Sequence, residues 1–203
     1  MKNMSLNALI VLLLCLGASS CSKDSLTGSP GDEASLKEAV MTRNDGTREI
    51  PFKAKFYTRR VPEKIGEVVC NDPTLPGPNY QYGEGTGTHL GKLTSTFTFC
   101  GDGGFYSGQG YFVAADGDSL FIEIAGQVFV EIPWDPATHY DAYFQDPFSF
   151  VGGTGRFEGA SGGGMTDSLV DLWDEDTPFP GPIIENHRTD HVWTGTLILP
   201  NGN

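Results

Sequence analysis

Between Glu49 and Pro200, apolar and polar residues alternate in short runs punctuated by Gly, Pro, Asn and Asp. This is the pattern of strands with one buried and one wet face. In PFKAKFYTRR, Phe52, Ala54 and Phe56 share one face, while Lys53, Lys55 and Tyr57 share the other. In HLGKLTSTFTF, His89, Leu93, Ser95, Phe97 and Phe99 stand together against Lys92, Thr94, Thr96 and Thr98. GQGYFVAA turns at Asp116-Gly117-Asp118 into SLFIEIAGQVFVEI, an Asp-Gly hairpin signal. FSFVGG, GRFEGASGGGMTDSLVDLW and HVWTGTLIL bring the count to about seven or eight runs, and no helical period survives over a helix-length window. Alternation on every run argues for antiparallel pairing. A sheet of this size must stack on another or close on itself, and closure leaves no exposed edge. The expected fold is all-β, an eight-stranded antiparallel barrel.

The stretch VGGTGRFEGASGGG, Val151 to Gly164, is half glycine. A dinucleotide fingerprint would need G-x-G-x-x-G before a helix. Here the interval from Gly155 to Gly159 is one residue too long, and no helical pattern follows. A flexible linker would lack bulky residues, yet Phe150, Val151 and Phe157 sit among these glycines. The remaining reading is a tight turn at Gly152–Gly155 feeding a sharply bent strand, as a barrel corner requires.

On these residues a family resemblance becomes usable. GGTGRFEGASG resembles the GGTGRF-x-GA-x-G segment of plant dirigent proteins and of the related allene oxide cyclase family with its bacterial members. GTGTHLGK at Gly85–Lys92 and AADGDSL at Ala114–Leu120 are similar to turns of the bacterial members. The segments follow in order across roughly residues 50–200. The resemblance implies a calycin-type, eight-stranded antiparallel barrel. In the plant relatives, activity rests on polar residues inside the barrel, contributed by other strands. Those positions do not align onto this chain, so the resemblance carries over no catalytic residue.

The chain opens MKNMSLNALIVLLLCLGASSCSKD, with Lys2, an apolar core at Ala8–Leu16 and small residues leading to Cys21. That is a secretory leader rather than a membrane-spanning helix. Its ending resembles a bacterial lipobox with Ala18 in place of the usual Leu, which implies cleavage after residue 20 and a lipid on Cys21. Ser22 points, by the same resemblance, to the outer membrane, periplasmic or surface-facing. Residues 22–48 are polar, with Gly and Pro and no alternation, and read as a tether. The expected organisation is a signal at 1–20, a lipid-anchored cysteine and tether at 21–48, and one barrel domain at 49–203.

The formal net charge is −13, and loss of residues 1–20, which hold Lys2 and no acid, takes it to −14. Such a balance excludes nucleic acid as the expected partner, since phosphates are repelled. Beyond Cys15 and Cys21, only Cys70 and Cys100 remain. In an oxidising compartment this even pair reads as a disulfide. It closes a loop worth roughly 3–4 kcal/mol in the chain-entropy model.

Catalytic signals are sparse. No G-x-S-x-G is present. ENHRTDH offers Glu185, His187, Asp190 and His191, and DLWDEDT offers Asp171, Asp174, Glu175 and Asp176. Neither has metal-ligand spacing on a defined element, and both read as solvated loops, so no metal and no cofactor is expected. Two Pro-rich inserts, NDPTLPGPNYQYGEG and DEDTPFPGPIIENHRTD, are expected at barrel mouths. By parity, His89 and Arg60 point inward near strand ends, while the side of Glu123 is left open by its equally apolar neighbours. These three are the candidate polar set of the interior. Two functions follow. The first is a lipid-anchored module binding a small hydrophobic molecule or another envelope component, with its membrane contact through the anchor and oligomers possible. The alternative is a cyclase or isomerase acting on a reactive hydrophobic intermediate inside the barrel.

Overall fold

The computed structural model describes residues 46–130, 139–173, 176 and 181–201. The leader, Cys21 and nearly all of the tether lie outside the described residues. Among the described residues, eleven strands form one antiparallel sheet. They are β1 (Thr47–Arg60), β2 (Gly77–Gly87), β3 (Gly91–Gly101), β4 (Phe105–Val113), β5 (Ser119–Gln127), β6 (Phe129–Val130), β7 (Ala142–Phe144), β8 (Pro147–Gly153), β9 (Ser161–Met165), β10 (Ser168–Asp171) and β11 (Arg188–Pro200). β1 pairs with both β2 and β11, from Thr47↔Pro200 to Arg59↔Arg188 on the latter side, and so closes the sheet into an eight-stranded barrel. Closure is the solution that leaves no edge exposed.

Eleven strands make eight staves because three staves are broken: β5–β6, β7–β8 and β9–β10. The breaks lie side by side and Asp146 joins them. Its carboxylate accepts from the Gln127 amide at 3.2 Å and the Tyr106 hydroxyl at 2.9 Å. Its own amide donates to Thr166 Oγ1 at 2.8 Å, and its carbonyl accepts from the Thr166 amide at 2.9 Å. Burial, the Asp146 hydrogen bond and the nearby carboxylate charge all push the Tyr106 hydroxyl far above the usual tyrosine range.

The inward positions of the middle staves carry aromatic rings packed among Leu93, Leu120, Ile122, Ile124 and Leu197. Phe52 meets Phe150 at 4.9 Å, Phe56 meets Phe112 at 5.0 Å, Phe97 meets Phe112 at 5.8 Å and Phe148 stacks on Trp193 at 4.9 Å. Gly108 and Gly110 face inward opposite them, where a Cβ would strike the rings of Phe99 and Phe97. Each buried ring contributes about 1.5–3 kcal/mol. The rings fill the barrel axis.

The two ends differ. At one, short turns close the barrel with Leu90, Phe157 and Leu199. Two of the three segments that carried the family resemblance, AADGDSL and GGTGRFEGASG, dock on each other there. Arg156 salt-bridges Asp116 at 2.7 Å, its amide donates to Asp118 at 3.1 Å, and the Ser119 amide donates to Thr154 Oγ1 at 2.9 Å. Gly155 has φ +54°, and a Cβ on it would overlap the Asp118 carboxylate. The glycine-rich stretch is thus a barrel corner, with one 3₁₀ turn (Gly155–Phe157) that drives Phe157 into the core. At the other end, the mouth, lie the long connections 61–76 and 172–187. The first contains a 3₁₀ turn (Pro62–Glu67) and is tied to β3 by the Cys70–Cys100 disulfide.

One expectation is corrected here. The Pro-rich insert around residues 71–85 is not wholly a loop, because Gly77–Gly87 is strand β2. Its inward positions include Gly83 and Gly85, which let β1 come close. Glycine in place of an apolar side chain erases the alternation by which a strand is recognised. The end of the second insert, from Arg188, likewise belongs to β11.

Candidate functional site

The buried polar groups of the barrel gather toward the mouth. Trp193 Nε1 donates to Ser168 Oγ at 3.2 Å, and Ser168 lies 2.8 Å from His191 Nδ1. His191 Nε2 lies 3.0 Å from Thr58 Oγ1, which donates to Gln81 Oε1 at 2.7 Å. Because the Thr58 proton goes to Gln81, His191 Nε2 must donate and Nδ1 must accept from Ser168. The chain runs one way, and the imidazole is neutral. Burial holds His191 down to about 3, against a small opposing pull from Asp190. Phe56 stacks on its ring at 4.4 Å.

A Ser–His pair at this distance is the geometry of an activated nucleophile. Ser168, however, is fully buried, and an imidazole that protonates near pH 3 is a poor base at neutral pH. The cluster satisfies buried polar groups and fixes the register of β1, β2, β10 and β11.

The three expected interior candidates do not converge. Arg60 follows the inward parity of Phe52 and Phe56 but ends at the rim, where its guanidinium donates to the Glu185 carbonyl at 3.3 Å. His89 is exposed, a correction to the inward expectation: it sits in the β2–β3 turn with φ +63°, which breaks the parity with Leu93. Glu123 points outward and is exposed. The residues of ENHRTDH also separate. His187 packs on the Ile184 carbonyl, with burial pulling its pKa down, whereas His191 is inside the barrel. Asp174 and Glu175 lie outside the described residues.

The outer wall holds a better-formed site. A groove of about 660 Å³ crosses β10, β11, β1, β2 and the start of β3. Along it Tyr57 opposes Asp190 and Glu84, Lys55 opposes Val192 and Thr86, and Thr86 opposes Lys92. Its acids are engaged. Tyr57 donates to Glu84 at 2.9 Å, and that hydrogen bond raises the tyrosine pKa. Arg188 grips Asp190 through Nη2 at 2.6 Å and Nε at 3.0 Å, and lies over the Tyr57 ring at 4.4 Å. Tyr140 donates to Asp190 at 3.1 Å. Partial burial works to raise the Asp190 carboxyl, but the Arg188 and Tyr140 bonds outweigh it and hold the pKa below the usual range.

The lysines of this wall are different: among the described residues, Lys53, Lys55 and Lys92 form no ion pair. Nine Lys and Arg fall within the described residues, and five stand on β1: Arg48, Lys53, Lys55, Arg59 and Arg60. Lys64, Lys92 and Arg188 flank it, and Arg156 lies in the glycine-rich corner at the closed end. On the outward face, Lys53, Lys55 and Lys92 thus stand free of ion pairs beside the carboxylates Glu84, Asp167 and Asp190. The outward face of Lys53, Lys55 and Tyr57 was legible from alternation. Arg188, Tyr140 and Lys92 join it only through strand register, for which the sequence holds no local signal.

The fold and this wall define a small closed antiparallel β-barrel with a packed interior and a charged outer groove. Comparison with known proteins returned no matching family model, no similar curated protein and no similar solved structure.

Proposed function

We propose that the protein is a cell-envelope binding module that holds an acidic polysaccharide on the unpaired lysines of its outer wall. The observation that carries this reading is the concentration of unpaired lysines on β1 and its neighbours. Lys53 and Lys55 are about 7 Å apart along one strand, and Lys55 and Lys92 about 10 Å apart across two strand spacings. Those intervals suit a polymer with one carboxylate per sugar. A duplex nucleic acid, with a charge per ~1.7 Å, would meet the acidic remainder of the surface. Aromatic rings stand where a small hydrophobic ligand would sit in the barrel, which favours the outer wall over the interior. The cyclase reading has no assembled constellation of Arg60, His89 and Glu123 to rest on.

The leader and the Cys70–Cys100 disulfide support placement in an oxidising envelope compartment, with Cys21 lipidated and the barrel tethered at the outer membrane. Labelled palmitate should enter the wild-type chain and not Cys21→Ser; equal labelling of both would remove the anchor from this account. For the site itself, affinity for polygalacturonate should fall steeply with added salt. Lys55→Glu with Lys92→Glu should weaken it roughly a hundredfold, at unchanged melting temperature. Salt-independent binding, or no loss in the double variant, would discard the lysine-wall reading.

A further inference from the structure

The adjoining wall of the barrel has the opposite character. Tyr82, Thr96, Tyr111 and Phe121 are successive cross-strand neighbours on the outer faces of β2, β3, β4 and β5, and Val151 continues the row on β8. The aromatic members are unusually open: Tyr82 is 48 % exposed, and Tyr111 and Phe121 are each 38 % exposed. The next row toward the mouth reads Thr98, Gln109, Glu123 and Ser149 in the same register. These rows line two grooves of about 920 and 390 Å³ that share Thr98, Gln109 and Glu123 and so form one channel. The disulfide-tied loop overhangs its mouth end through Val68, Val69 and Leu75. In both rows on these strands, Glu123 is the one charged side chain.

We infer that this wall is a second binding site, for a neutral polysaccharide chain, whose sugar faces stack on Tyr111 and Phe121 while Gln109, Glu123 and the adjacent hydroxyls bind its hydroxyl groups. Open aromatic faces beside uncharged donors and acceptors match a ligand whose own surface alternates apolar C–H faces with hydroxyls. The four strands from β3 to β8 span about 14 Å, room for a short run of sugars. The wall offers no cation for an anionic polymer, and its carboxylates, Glu123 with Glu67 and Asp72 of the overhanging loop at the mouth end, can accept from the hydroxyls of a neutral one. A symmetric second copy fits poorly, because it would bury Glu123 against a wall that also lacks a cation.

The test uses the full mature chain in affinity electrophoresis against soluble β-glucan, xyloglucan, galactomannan and dextran, at low and high salt. At least one polymer should retard the protein, with retardation insensitive to salt and unaffected by Lys55→Glu with Lys92→Glu. Tyr111→Ala and Phe121→Ala should each weaken binding roughly tenfold, and Tyr111→Leu, which keeps apolar bulk without a ring face, should weaken it as well. No retardation by any polymer, or wild-type binding in all three aromatic variants, would overturn the inference. So would a concentration-dependent dimer abolished by Tyr111→Ala, which would assign the wall to a second copy. Because salt and the lysine pair do not enter this readout, its failure is distinguishable from failure of the lysine wall.

Discussion

His191 is the residue on which the polar interior turns. It is neutral, stacked on Phe56 and bonded at both nitrogens. An unfolded histidine titrates at 6.5, whereas this one is held down to about 3. Below pH 6.5 the unfolded chain takes up a proton that the folded chain refuses, so acidification toward pH 3 removes up to about 1.4 kcal/mol per pH unit. Partly buried His187 acts with the same sign. Carboxylates with lowered pKa, such as Asp72 and Asp190, add their own loss only at lower pH, near and below their unfolded value. Urea unfolding should therefore show stability falling between pH 6.5 and 4.5, and His191→Gln should flatten that slope. An unchanged slope in the variant, or an imidazole NMR signal of His191 that titrates near 6.5, would contradict the buried neutral assignment. Thr58 shares the inward parity of Phe56, but the meeting of Thr58, Ser168 and His191 depends on the β1–β11 and β10–β11 registers, which no single segment encodes.

At the scale of elements, the three broken staves depend on Asp146. Asp146→Ala leaves the Gln127 amide and the Tyr106 hydroxyl without their acceptor in a half-buried setting. The expected cost is about 2–4 kcal/mol, a fall in melting temperature of roughly 5–15 °C for a domain of this size. A fall of under a degree by circular dichroism would mean that the breaks are held by other contacts. Most strands were legible because Phe, Leu and Ile alternate with polar residues on them. β2 was not, because Gly83 and Gly85 stand at inward positions where alternation needs an apolar side chain. The breaks were equally silent: MTDSLVDLW reads as one run, and only the Asp146–Thr166 pairing reveals where it divides.

For the whole molecule, the account separates inside from outside. Aromatic packing fills the barrel, the closed end is sealed by Phe157 and its docked turns, and the mouth is braced by Asp141. That carboxylate receives the Leu172 and Trp173 amides at 2.7 and 2.9 Å. The outer surface is divided into a lysine-bearing wall on β1 and its neighbours and an aromatic wall without cations on β3–β5 and β8. Overall composition predicted an acidic protein and could not predict this division, because charge becomes local only when strands pair. The most direct test is an NMR titration of the labelled protein with oligogalacturonate. Shifts should concentrate on Lys53, Lys55, Thr86, Lys92 and Val192, with Phe97, Phe112 and Trp193 unmoved. Shifts centred on those three interior rings would place the ligand inside the barrel and contradict the account.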